Sequence, residues 1–149
     1  MLPFTADTLR VSLHILGAAG WVGGQFVLAG VVPTLRKSAP DVVSTVARRF
    51  QVLAWPFYGL LLATGVWNAL EVDFDAATDD WISTFGIKMW LVLLSGFGAA
   101  AHAFFAGPRV QAAADDRGAA RARALSGALA GVGLLAGIGA LVLGVLLRG

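Results

Sequence analysis

LRVSLHILGAAGWVGGQFVLAGVV, Leu9 to Val32, decides the fold. Its 24 residues carry one arginine, at the edge. At about 1.5 Å per residue the stretch makes roughly 36 Å of helix, enough to cross a bilayer core of about 30 Å with some tilt. Inside it stand His14, Trp21 and Gln25, with Gly17, Gly20, Gly23 and Gly24 between them. Positions 14, 17, 21, 24 and 25 fall on one side of a helix. That side is polar, aromatic and notched, so it is expected to face protein rather than lipid.

The remainder of the chain agrees with a membrane reading. Of 149 residues 58% are hydrophobic and 13% charged, with a mean hydropathy of +0.77. Soluble domains carry about 25% charge. Cysteine is absent, which excludes disulfides and thiolate metal sites. The net charge of +2 comes from arginines gathered in short loops, so no nucleic-acid surface is expected. Asp7 and Arg10 precede the first apolar run in place of a basic cluster, and the run is too long for a cleaved leader. A retained span is expected.

Four spans follow, at about 9–32, 50–71, 81–106 and 124–147. Pro33 is expected to stop or kink the first. Pro40-Asp41 suits the start of a short interfacial helix. Pro56 should bend span two locally, and Gly107-Pro108 should end span three. Loops 33–49 and 107–123 hold eight of the eleven basic residues, so both are expected in the cytoplasm. The acidic loop 72–80 and both termini then face outward. The expected fold is all-α, one domain over 1–149: an integral four-helix antiparallel bundle in the plasma membrane, N-out and C-out. Its principal partner is the lipid bilayer.

Span four carries a small-residue stripe, Ser126, Ala130, Gly133, Gly137, Ala140 and Gly144. Such a stripe lets helix backbones approach, either inside the bundle or at a homo-oligomer face. Trp81 fits an interfacial belt on the outer side and Trp55 on the inner side, while Trp21 belongs in the core.

Ionisable groups inside a span are costly, and each is a candidate site. Here they are His14, Lys88 and His102. His14 and Lys88 each lie seven residues before the centre of their span, roughly 10 Å toward the outer face. Met89 adjoins Lys88, and Asn68 is slightly further out. These residues are expected to form an outer polar cluster. Lys88, Ser95 and His102 recur every seven residues on one face of span three. His102 falls near the inner side, about 21 Å from His14 along the membrane normal, so one metal or haem is not expected to bridge both. Imidazole and thioether suit copper(I), which makes His14 with Met89 a candidate ligand couple. Haem at His14 would need another axial ligand. The acidic loop lacks the glycine and oxygen spacing of an EF-hand and reads as solvated. No zinc-protease, nucleophile or phosphate-loop motif is present.

LHILGAAGWVGGQFVLAGVVPTLR at 13–36, RRFQVLAWPFYGLLLATGVWNAL at 48–70, and the segment from Thr84 through Phe85, Gly86 and Lys88 into the rest of span three resemble the copper resistance protein D (CopD) family. Span four is similar only in composition. The resemblance implies copper ion transport or homeostasis, with a periplasmic or extracellular copper-binding protein as a partner. The same pattern is similar to HemJ-type membrane protoporphyrinogen oxidases. That likeness implies a haem b cofactor and oxidation of a porphyrinogen, with His14, Lys88 and His102 as the cofactor-binding positions. RRFQVLAWPF departs from the oxidase pattern, and ATGVWNAL favours the copper branch. An accessory subunit of a membrane complex, with neither ligand, is the third reading. Trp21, Gln25, Asn68 and Ser95 are the supporting residues in each ligand-binding case.

Overall fold

The computed structural model describes residues 4–112 and 115–148. Four helices are long and apolar enough to cross a membrane: α1 (Ala6–Ser38), α2 (Pro40–Leu70), α3 (Asp79–Val110) and α4 (Asp116–Leu146). The described residues contain no strand. Each apolar run therefore satisfies its own backbone, as a chain crossing hydrocarbon must.

Short polar side chains start the helices. Thr5 accepts from Thr8 N and Thr78 accepts from Trp81 N, both at 3.2 Å. Asp115 accepts from Gly118 N. Asp7 follows the first cap, and Asp79 and Asp80 follow the second, where carboxylates complement the helix dipole.

Neither Pro33 nor the Gly107-Pro108 step ends its helix. α1 runs through Pro33 to Ser38. One donor is lost there, but unwinding inside a bilayer would strand several more. Pro40–Val42 is not a separate interfacial helix but a tight first turn that continues into α2, leaving only Ala39 between the helices. α3 likewise continues past Gly107-Pro108. A π-turn over His102–Ala106 widens the helix just before the proline. Arg109 Nη1 donates to Phe105 O at 2.9 Å, meeting a carbonyl in this irregular turn.

The chain divides into two compact units, Met1–Asp75 and Ala76–Gly149. In the first, α1 packs on α2. Gly17 lies so close to Leu61 that a Cβ there would sit 2.8 Å from the Leu61 nitrogen. Beyond this contact the core is aromatic. Trp21, 2% exposed, lies 4.5 Å from the Tyr58 ring and 5.5 Å from the Trp55 ring, centroid to centroid. Trp21 is thus in the core as expected, and Trp55 joins it there. A second π-turn, Ala19–Gly23, carries Trp21 into this cluster.

In the second unit α3 packs on α4 through backbone. A Cβ on Gly98 would lie 3.1 Å from the Cα of Gly133 and from Leu129 O. Ser126, Gly133, Gly137 and Ala140 of the small-residue stripe are buried, and Gly133 and Ser126 meet α3 directly. Trp81 donates its indole N–H to Leu147 O at 3.2 Å, tying the start of α3 to the end of α4.

Candidate ligand sites in the two helix pairs

His14 is half-buried on α1 and turned toward α2. Its Nδ1 lies 3.0 Å from Thr64 Oγ1. Thr64 is 4% exposed, and its hydroxyl donates to Leu60 O at 2.7 Å. The imidazole edge lies over Gly65, where a Cβ would be in ordinary contact with His14 Cε1 at 3.5 Å.

One turn toward the start of α1, Arg10 donates from Nη2 to Asp7 at 2.9 Å and from Nη1 to Asn68 O at 3.5 Å. The Asn68 carbonyl belongs to the last turn of α2, where a cation complements the dipole. Arg10 Nε is buried and has no hydrogen-bond partner among the described residues. Asn68 itself donates to Thr64 O at 2.7 Å. The result is a polar ladder, Asp7–Arg10–His14 on α1 against Asn68–Thr64 on α2. Gln25 does not join it; its amide donates to Trp21 O within α1.

In the second pair Lys88, Ser95 and His102 all meet α4. Lys88 passes over Gly144, its Cε and Nζ 3.5 Å from where a Cβ would stand. Ser95 is 1% exposed, and its backbone carbonyl lies beside Gly133. His102 Nδ1 donates to Ser126 O at 2.9 Å and lies 3.1 Å from the Ser126 hydroxyl. Met89 is half-buried next to Lys88 on α3.

His14 and Asn68 are therefore brought together through Thr64 in the first pair. Lys88, Met89, Ser95 and His102 belong to the second. Among the described residues no three His, Asp or Glu side chains form a metal-holding group. The acidic loop supplies none either. Three contributors were missed in the sequence: Thr64, Arg10 and the Ser126 carbonyl. Thr64 was findable, because it stands as many residues after Ala39 as His14 stands before it.

With this geometry in place, the chain matches the family profile for copper resistance protein D over residues 44–147. This chain belongs to the CopD family. No curated protein and no solved structure matches it. The CopD match takes in α4, where sequence reading found only similar composition, and it begins beyond His14. The CopD segment thus holds Thr64, Asn68, Lys88, Met89, Ser95 and His102.

Proposed function

We propose that this CopD-family protein handles copper ions as cargo in the plasma membrane. The observation that carries the reading is His14, an imidazole deep in an apolar helix and oriented by Thr64 of the facing helix, in a chain of a copper-resistance family. Copper(I) takes imidazole and thioether donors, so His14 in the first pair and Met89 in the second are each proposed as a copper contact. Asn68 tunes His14 in the first pair and Lys88 tunes Met89 in the second, and His102 serves the inner exit. On this reading the four helices form an antiparallel bundle with both termini outside. The basic segments 33–49 and 107–123, largely helical, lie on the cytoplasmic side, as the lysine and arginine bias favours. A periplasmic or extracellular copper-binding protein exchanges the ion.

Cellular copper accumulation tests the proposal. Cells with the protein should differ from cells lacking it, and His14→Ala should abolish the difference. Equal copper in all three strains removes the reading.

Arg10 favours a second reading, a haem-b oxidoreductase of the HemJ type. Its guanidinium is one helical turn from His14, and its side chain is only 13% exposed. A unit charge about 6 Å from a bound cation costs about 3 kcal/mol at an effective dielectric near 20, an upper figure because Asp7 pairs with Arg10. The same guanidinium suits the carboxylates of a porphyrin, with His14 as an axial ligand. Haem would supply an iron centre for electron transfer; the protein's part is to hold and orient it. Detergent-purified protein with a Soret band that His14→Ala abolishes supports this reading. A colourless protein that binds copper supports the first. Neither ligand, with stable co-purification in a larger complex, points to an accessory subunit.

A further inference from the structure

A hydroxyl has one proton to give. At Thr64 that proton goes to Leu60 O, which can only accept, and the 2.7 Å separation is the ordinary length of an O–H···O bond. The second neighbour of the same oxygen is His14 Nδ1, at 3.0 Å, the ordinary length of an N–H···O bond. With the hydroxyl proton committed, the nitrogen must be the donor. Thr64 is buried, so bulk water does not compete for either bond.

We propose that Thr64 is a positioning residue that holds neutral His14 in the Nδ1–H tautomer and thereby makes Nε2 the ligand atom. The hydrogen bonds place a proton on Nδ1, and in the neutral ring that leaves Nε2 without one. The ligand role rests on the function proposed above. Two further contacts support the arrangement. Asn68 donates to the Thr64 carbonyl, fixing this turn of α2 from its other side. At Gly65 the imidazole edge lies against α2 at contact distance. Ligating histidines generally have their second nitrogen held in this way, and loss of the holder costs 10- to 100-fold in metal affinity.

The second helix pair contains a built-in comparison. His102 Nδ1 is held by the backbone carbonyl of Ser126, which can only accept. Its Nδ1 is a donor as well, yet no side-chain substitution at 126 deletes that carbonyl. The chain has two histidines in all, so both are readable in one spectrum.

The test is ¹⁵N NMR of the full-length, metal-free protein, labelled at histidine, in lipid bilayers at about pH 8, where an unperturbed imidazole is neutral. Single His→Gln variants assign the two rings. We expect both histidines protonated at Nδ1 and bare at Nε2. Thr64→Val keeps the shape of the side chain and removes the hydroxyl. It should move His14 toward the Nε2–H form with His102 unchanged, and Thr64→Ser should restore the original signal. His14 protonated at Nε2 in the unsubstituted protein overturns the inference without any variant. A Thr64→Val spectrum with His14 unaltered overturns it as well. Copper(I) titration is read separately: a tenfold or greater loss of affinity in Thr64→Val, rescued by serine, ties the tautomer to ligation. If the unsubstituted protein binds no copper(I), the copper function falls while the NMR result still stands.

Discussion

The two helix pairs solve one packing problem in different ways. In α1–α2 one glycine, Gly17, meets the Leu61 backbone, but two receive aromatic rings: Phe57 fills the notch at Gly20 and Phe50 the notch at Gly24, while Trp21 packs on Trp55 and Tyr58. In α3–α4 the notches receive backbone, with Gly98 against Gly133. Both pairs nevertheless tether an imidazole Nδ1 to the facing helix, through a threonine hydroxyl in one and a carbonyl in the other. Lipid tails are as apolar as leucine, so neither pair is driven together by water. Contact area and a few hydrogen bonds must hold each one, and the comparison shows two routes to that contact.

The contrast can be broken most strongly at Trp21. Trp21→Ala empties the centre of the aromatic cluster and should cost about 3 kcal/mol, at the lower end of large-to-small core changes. Hydrogen exchange of the protein in nanodiscs should rise in α1 and α2 and stay near its original level in α3 and α4. Next comes Gly98→Leu, which forces a side chain into the Gly133 backbone and should cost about 2 kcal/mol, with exchange rising in α3 and α4 instead. Gly127→Leu, at a position with open space, is its control and should change little. The smallest effect is expected from Trp81→Phe. It removes the N–H that reaches Leu147 O and should cost about 0.6 kcal/mol, read as faster exchange confined to the last turn of α4.

The spans, the core position of Trp21 and the small-residue stripe were legible because each follows from periodicity and hydropathy along a single helix. The facing register was not. Reading Pro33 as a stop made loop one 33–49, centred near position 41, which sets Asn68 opposite His14. The actual turn is Ala39, and that difference of two residues moves the partner by four, one full helical turn, to Thr64. Arg10, Thr64 and Asn68 form a ladder only in this register. The same dependence hid the Trp21–Trp55–Tyr58 cluster, which needs both helices placed before its rings can meet. Hydrogen bonds to backbone, such as His102 to Ser126 O, leave no mark in side-chain identity at all.

Both ends of the His14–Thr64 bond lie within residues 1–75. A ribosome adding about 5–20 residues per second needs several seconds to go from Thr64 to Ser126, which the second clamp requires. Helix formation is far faster, on the order of a microsecond. The first half of this chain therefore has time to close around its histidine while the second half is still being synthesised. Newborn protein would carry one finished imidazole clamp before the other has begun.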